Sequence, residues 1–151
     1  MFRRVDTGTP DTGTARRDDM AEIPHSTAAS IYDAIGGEQG VRALVGAFYR
    51  YMDTLPEAKA CRDVHPPSLA GSEQKLFEYL SGWLGGPQLY TTKYGHPRLR
   101  QRHFAAPIGT AERDGWIVCF ERALEETIAS RILRDAIREP VLKLALHMQN
   151  K

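Results

Sequence analysis

The sequence lacks the features of a secreted, disulfide-bonded or membrane-spanning protein. Its 151 residues include only 2 cysteines, Cys61 and Cys119, and these form no Cys-x-x-Cys pair, so neither a disulfide scaffold nor a cysteine zinc site is indicated. The longest apolar runs, such as residues 117–120, are far shorter than the roughly 20 residues that cross a bilayer. No charged start followed by an apolar run marks a signal peptide. We therefore expect a cytoplasmic protein with no membrane partner.

An excess of charge of one sign is also absent. The chain has 20 Lys and Arg residues against 19 Asp and Glu residues, a formal net charge of +1, which gives no long-range field to attract phosphate backbones. Arg98, Arg100 and Arg102 are clustered, but no aromatic platform is interleaved with them. We therefore expect no nucleic-acid partner, and the length fits one domain.

The chain divides into an N-terminal extension and a folded domain. Residues 1–25 are rich in Asp, Thr, Arg, Gly and Pro and contain hardly any large apolar side chain, which predicts disorder. Residues 26–151 carry the apolar patterning of a folded domain.

The apolar residues of this domain recur with the helical period, and no segment alternates as a strand does. Gly36-Gly37 and Gly85-Gly86-Pro87 are predicted to end helices, and Ser68, Thr110 and Ser130 to cap them. Residues 88–109 lack a regular pattern and are predicted to hold at most one short helix, at 97–103; so long an irregular stretch is usually functional. The other predicted helices cover residues 28–35, 38–54, 57–62, 69–84, 110–128 and 130–139, with a last one that Pro140 starts or kinks.

His103 is the first candidate for chemistry, because it follows the arginine cluster in this irregular stretch. By position alone it reads as a surface histidine. The spacing of His96 and His103, with no His-Glu-x-x-His pattern, gives little support to zinc. A single neutral imidazole can, however, ligate haem iron axially.

Several motifs agree in order and spacing with one family. The sequence GGP at 85–87 with Tyr90, GHPRLRQRH at 95–103, and ERDGW at 112–116 with Cys119 resemble the truncated haemoglobins of the second group. The segments IYDAIGG at 31–37, AFYR at 47–50 and residues 144–150 are similar to the opening, the distal-tyrosine helix and the close of that family. The resemblance covers about residues 28–150.

The resemblance implies an all-α, two-over-two helical sandwich that encloses a b-type haem, with His103 as the proximal iron ligand. It implies that Tyr49 and Trp116 lie on the distal side, where a phenol hydroxyl and an indole N–H can donate hydrogen bonds to a bound ligand. His65 departs from the family, which usually has tyrosine or phenylalanine there. It either faces the pocket, as a donor or as a general acid toward peroxide, or points to water.

The resemblance also implies the remaining cofactor contacts. Ser72 takes the position of the distal gate, and Leu76 follows one turn later on the same helix. Lys75, Tyr90, Arg100 and Arg102 are placed at the haem propionates, which need cations or hydroxyls. Phe77 and Ile108 are predicted to line the slot, although both would be buried in any helical domain.

The function that follows is binding of oxygen, carbon monoxide, nitric oxide and peroxide-type ligands at a His-ligated iron. A pocket with several donors favours redox chemistry, either detoxification of reactive oxygen or nitrogen species or a peroxidase-like activity, over storage or bulk oxygen transport. Such chemistry needs a reductase, which the sequence does not identify, and a monomer or a homodimer is equally compatible. The alternative is a cofactor-free helical interaction or regulatory domain in which His103 has no special role.

Overall fold

The computed structural model describes residues 30–96 and 107–150, and within these ranges it contains helices and no strand. This confirms the predicted all-helical class. The predicted disordered extension, residues 1–25, lies outside the described residues. None of the described helices has the length and apolar composition needed to span a membrane. The helices are α1 (Ile31–Ala34), α2 (Gly37–Thr54), α3 (Lys59–Asp63), α4 (Ala70–Trp83), α5 (Leu89–Tyr94), α6 (Thr110–Thr127) and α7 (Arg131–Met148), with a 3-10 turn at Pro56–Ala58.

Helix α2 is the centre of the core. Its apolar residues fall on one stripe because they recur at the helical period, and they are at most 1% exposed. These residues are Val41, Leu44, Val45, Phe48 and Met52. The stripe packs against α4 on one side and α6 on the other, as its periodicity predicts.

The helices form two pairs. Helix α2 packs on α4, α6 packs on α7, and the contact of α2 with α6 joins the pairs. Phe120 and Leu124 of α6 and Ile137 and Val141 of α7 complete the core. The 3-10 turn and α3 pack on α6, so the corner that carries His65 is built against the same core. This is the two-over-two arrangement that the resemblance implies.

The break between α1 and α2 is set by glycine. Gly36 has φ 106° and Gly37 has φ 64°, values in the left-handed region that L side chains rarely adopt. The predicted helix stop at this pair is therefore confirmed. The backbone N–H of Tyr32 donates to the Leu84 carbonyl at 2.9 Å, which ties the opening helix to the end of α4.

Of the two predicted caps of the long C-terminal helices, one is confirmed and one is wrong. The Ser130 hydroxyl accepts a hydrogen bond from the Leu133 N–H at 3.2 Å at the start of α7. At the start of α6 the capping residue is Gly109, and Thr110 is already the first helical residue. The Glu112 carboxylate accepts from the Gly109 N–H at 2.8 Å and supplies the stabilising contact there.

Two further predictions are wrong. Residues 89–94 form helix α5, although their sequence has no apolar stripe long enough to predict one. Tertiary contacts hold it: the Tyr90 ring meets the Tyr79 ring of α4, and the Gln88 amide donates to the Gly82 carbonyl at 2.9 Å. The predicted helix end at residue 139 is the other: residues 131–148 form one helix with Pro140 inside it, because that residue is exposed and removes only one donor, and of the two alternatives for Pro140 only the start of a new helix is excluded.

Candidate functional site

An aromatic cluster forms where α2 crosses α6. The ring centroid of Phe48 lies 4.8 Å from that of Tyr49, 5.0 Å from that of Trp116 and 5.9 Å from that of Phe120. The Trp116 and Phe120 rings, one helical turn apart on α6, stack at 5.4 Å. Tyr49 is buried and Trp116 is half-buried. The helix crossing thus brings Tyr49 and Trp116, the two predicted distal donors, to the same aromatic cluster.

Tyr49 keeps its phenolic proton. Burial raises the pKa of its hydroxyl far above its ordinary value, and the nearby Cys61 thiol and Glu73 carboxylate raise it further. A phenol in this setting stays neutral and can donate a hydrogen bond at any physiological pH. Donation is the property required of a group that stabilises a ligand carrying negative charge.

His65 lies beside Tyr49. Its ring centroid is 6.1 Å from that of Tyr49 in an edge contact, and its Nδ1 lies 2.9 Å from the Cys61 carbonyl oxygen. The side chain is half-buried. The imidazole therefore neighbours Tyr49, and whether it faces a bound ligand stays a prediction.

Helix α4 has two apolar faces that differ in exposure. Phe77 and Leu80 are buried, and the Arg42 guanidinium of α2 lies 3.8 Å from the centre of the Phe77 ring. Phe77 is therefore a residue of the core between α2 and α4. The second face is only half-buried and recurs at the helical period; it consists of Ser72, Leu76, Tyr79 and Trp83. Ser72 and Leu76 are thus on the face that remains partly open.

The predicted propionate residues Lys75 and Tyr90 meet at Tyr94. The Tyr90 ring lies 4.7 Å from the Tyr94 ring, and the Lys75 ammonium is 5.9 Å from the centre of that ring. Lys93 also lies over Tyr94, at 5.3 Å, and its ammonium forms a 3.1 Å ion pair with the carboxylate of Glu78 on α4. This ion pair joins α5 to α4 at one edge of the half-buried face.

The buried Glu78 carboxylate and its partners were not predicted from the sequence. One oxygen accepts from Gln74 and from Lys93, both at 3.1 Å, while the other is buried and makes no hydrogen bond. The spacing of Gln74 and Glu78, four residues apart on one helix, could have predicted the hydrogen bond between their side chains. The pairing with Lys93 could not be predicted, because it requires α5, which the sequence did not predict.

Three predicted residues, His103, Arg100 and Arg102, lie outside the described residues. Ile108 lies just after this gap and is buried. Its N–H donates to the Asn150 side-chain oxygen at 2.9 Å, and its carbonyl accepts from the Asn150 N–H at 2.8 Å. Ile108 is therefore fastened to Asn150, just after α7. Within 30–96 and 107–150, no group of three or more His, Cys, Asp or Glu side chains could hold a metal ion.

The described residues fit the haem that the resemblance implies. The half-buried face of α4 offers an apolar surface for a flat ring, and Lys75 and Tyr90 at its edge suit carboxylates. Tyr49 adds a donor whose ionisation is suppressed by burial. This combination of apolar wall, cationic edge and distal donors matches the chemistry of a group that carries propionates and binds a polar ligand.

Comparisons with known proteins agree with this geometry. A family model described as bacterial-like globin matches residues 30–150. The group 2 truncated hemoglobin YjbI of Bacillus subtilis is 33% identical over 120 residues, which are 80% of this chain and 88% of that protein. The group II 2-on-2 hemoglobin of Agrobacterium tumefaciens is 58% identical with a TM-score of 0.81, over 83% of this chain and 97% of that one. The truncated oxygen-avid haemoglobin of Bacillus subtilis has 32% identity and a TM-score of 0.73, over 81% of this chain and all (100%) of that one.

Proposed function

The chain belongs to the bacterial-like globin family, as a group II truncated haemoglobin, and from this premise we propose that it holds haem b through His103 and binds oxygen with Tyr49 and Trp116 as donors. The family binds small gas ligands through haem, which sets the cofactor-free helical domain aside. The observation that carries the proposal is the meeting of Tyr49 and Trp116 around Phe48 in an aromatic, largely buried cluster.

When bound, haem supplies an iron centre that coordinates a gas molecule and exchanges electrons with it. His103 would hold it from the proximal side, and Lys75 and Tyr90 would bind its propionates. On the distal side the Tyr49 hydroxyl and the Trp116 Nε1–H would donate hydrogen bonds to a ligand that gains negative charge. Such charge-assisted hydrogen bonds are stronger than neutral ones, so two of them would slow the release of the ligand.

Slow release favours redox chemistry over storage or bulk transport. A protein that unloads oxygen slowly serves storage poorly, whereas a long-lived complex gives time for reaction with nitric oxide or for turnover of peroxide. One similar structure, from Bacillus subtilis, is described as oxygen-avid, which supports the same direction. We propose detoxification of reactive oxygen or nitrogen species in the cytoplasm, with a separate reductase supplying electrons.

The first experiment is the absorption spectrum of the purified protein in the ferric state, after reduction, and after addition of carbon monoxide. We expect a Soret band that shifts at each step in the parent protein. His103→Ala should lose the haem band, because the axial ligand is gone. Retention of haem with an unchanged spectrum in His103→Ala would contradict the proximal assignment.

The second experiment measures oxygen dissociation in Trp116→Phe. Loss of an indole donor worth about 1.4 kcal/mol speeds dissociation about tenfold. Tyr51→Phe on α2 is the control, because it also removes one aromatic hydrogen-bond donor and that hydroxyl donates to the Glu126 carboxylate at 2.6 Å. We expect dissociation in the control to change less than threefold or so. Equal rates in Trp116→Phe and the parent would remove Trp116 from the mechanism.

A further inference from the structure

Three tyrosine rings form a continuous path from α4 to the end of α5. Tyr79 lies on the half-buried face of α4, and its ring centroid is 6.0 Å from that of buried Tyr90. The Tyr90 ring is in turn 4.7 Å from that of half-buried Tyr94, the last residue of α5. Each of these rings carries a phenol O–H and can therefore be oxidised by one electron. The path joins the face of α4 that suits the haem to the surface of the domain.

The aromatic cluster where α2 crosses α6 differs from this path. Phe48 is the ring that contacts both Tyr49 and Trp116, and Phe120 stacks on Trp116. A phenylalanine ring has no O–H and is much harder to oxidise than a tyrosine ring. The distal cluster therefore suits hydrogen-bond donation, whereas the run of three tyrosines suits the movement of electrons.

A buried carboxylate lies beside the outer end of the tyrosine path. The Glu78 side chain is only 7% exposed, and one of its oxygens makes no hydrogen bond to the residues that the structure describes. The Gln74 amide and the Lys93 ammonium hold the pKa of this carboxyl below its ordinary value. The Tyr94 hydroxyl adds to this effect, which places it within reach of the carboxylate. Glu78 is therefore an ionised acceptor next to the Tyr94 O–H.

Two ammonium groups favour loss of that proton when Tyr94 is oxidised. Lys75 Nζ lies 5.9 Å and Lys93 Nζ 5.3 Å from the centre of the Tyr94 ring. Removal of an electron alone would leave a positive ring beside two positive charges, which repel it. Transfer of the proton to Glu78 leaves a neutral tyrosyl radical instead. Because an oxidised phenol is a strong acid, Glu78 can accept its proton even with a lowered pKa.

We propose that Tyr79, Tyr90 and Tyr94 form an electron relay, and that Tyr94 is a second reaction site, at which small phenols reduce the protein. The inference rests on the proposed function, because the oxidant is hydrogen peroxide that reacts at the haem. Phenols suit the site because the O–H bond that they give up is of the same kind as the one that they restore on Tyr94.

The step balances as a two-electron reduction of peroxide. The O–O bond of hydrogen peroxide breaks, and two electrons and two protons convert it to two molecules of water. Each electron leaves Tyr94 through Tyr90 and Tyr79, while the Tyr94 proton moves to Glu78 and then to solvent. A phenol next transfers a hydrogen atom to the Tyr94 radical, which restores the tyrosine and leaves a phenoxyl radical. One peroxide therefore consumes two phenols.

The location of the radical is tested by mixing ferric holoprotein with hydrogen peroxide in the presence of a nitroso spin trap and mapping the adducts by mass spectrometry. We expect an adduct on Tyr94 in the parent protein and none at that position in Tyr94→Phe. In Tyr79→Phe the yield on Tyr94 should fall about tenfold or more, because the inner end of the path is cut. An equal yield in Tyr79→Phe and the parent, or no adduct on Tyr94 in the parent, would overturn the relay.

Tyr51→Phe is the matched control. The Tyr51 hydroxyl also lies beside a carboxylate, 2.6 Å from that of Glu126, and the Arg50 guanidinium lies 4.9 Å from the centre of its ring. Among the described aromatic side chains, however, no other ring contacts it. We expect the yield on Tyr94 in this variant to stay within about twofold of the parent. A loss as large as that in Tyr79→Phe would overturn the specific path.

The reaction site is tested with guaiacol, a small phenol whose oxidation by hydrogen peroxide is followed by absorbance. We expect Tyr94→Phe to oxidise it about tenfold more slowly or worse, while the Soret change on first mixing with peroxide keeps its parent rate within about twofold. Glu78→Gln, which cannot accept the proton, should lower both this rate and the trapped yield on Tyr94. Guaiacol oxidation at the parent rate in Tyr94→Phe would overturn the second reaction site.

The two proposals can fail separately. If the parent binds carbon monoxide and oxygen but peroxide leaves no radical on Tyr94, the relay is overturned and gas binding stands. If Trp116→Phe leaves oxygen dissociation unchanged while Tyr79→Phe lowers the yield on Tyr94, the donor assignment fails and the relay stands.

Discussion

The substitution Gly115→Ala tests how closely α6 approaches the corner that carries His65. A methyl group built at Gly115 would lie 3.0 Å from the Glu57 carbonyl oxygen, 3.1 Å from Ala58 Cα and 3.3 Å from Cys61 Cβ. The two nearest of these are backbone atoms, which cannot move aside as a flexible side chain would. We therefore expect α6 and the α3 region to separate by a few tenths of an ångström or more.

The magnitude follows from two opposing terms. Inserting a methyl group into a packed site costs about 1–3 kcal/mol, while replacing glycine by alanine inside a helix gains about 0.5–1 kcal/mol. The net expectation is a loss of about 0.5–2 kcal/mol in the free energy of unfolding. Gly71→Ala is the matched control, because nothing lies within 4 Å of its added methyl group on α4. There only the gain remains, so the same substitution should stabilise by about 0.5 kcal/mol.

Urea unfolding followed by circular dichroism measures both variants against the parent protein. All three are prepared with saturating haem at one concentration, so that the contribution of the bound cofactor cancels in the differences. Opposite signs for Gly115→Ala and Gly71→Ala are expected. If both variants are stabilised to the same extent, the close approach of α6 to α3 is wrong.

Two further predictions concern buried titratable groups. The Gln74 amide and the Lys93 ammonium hold the pKa of the Glu78 carboxyl below its ordinary value, so its contribution to stability is present above the unfolded value of about 4.3 and is lost as the pH falls through the folded value. Acidification should therefore lower the free energy of unfolding more in the parent protein than in Glu78→Gln. Parallel curves of unfolding free energy against pH for the two proteins would contradict the ion pair. Burial raises the pKa of Cys61 to about 12 and that of Cys119 to about 11. Neither thiol should therefore react with a disulfide reagent at about pH 8 until urea unfolds the chain. Rapid labelling of the folded protein would contradict the burial of these thiols.

Helices α2, α4 and α6 were predictable because each carries an apolar stripe bounded by glycine, proline or a cap, whereas α7 was predicted only as far as residue 139. Helix α2 illustrates this: its stripe from Val41 to Met52 is buried along its whole length. Helix α5 was not predictable, since residues 89–94 owe their helix to contacts with α4. Thr110 failed as a cap because the helix already begins at this residue: Gly109 precedes it in an extended conformation, and its N–H donates to the Glu112 carboxylate.

The site was predictable where family motifs fix residue positions and not where pairing depends on tertiary structure. Tyr49 and Trp116 both lie against Phe48, because α2 and α6 cross at those residues, and their distal role stays a prediction. The half-buried face of α4 could be read only in part, since Leu76 and Phe77 are adjacent apolar residues of similar appearance. Only the packing of Arg42 on Phe77 separates the core residue from the open face.

The orientation of His65 depends on a backbone atom, and this explains why it could not be read from the sequence. A histidine at this position can be a donor, an acid or a base, and residue types alone leave these open. The structure adds a contact in the last turn of α3, where the Cys61 carbonyl accepts a hydrogen bond from His65 Nδ1 at 2.9 Å. Every residue type has such a carbonyl, so the acceptor is independent of the thiol and survives a change of that side chain. What it requires is the path of the chain, which Arg62 fixes by binding Asp53 and the two proline carbonyls. The orientation of the His65 ring is thus set by the geometry of a loop.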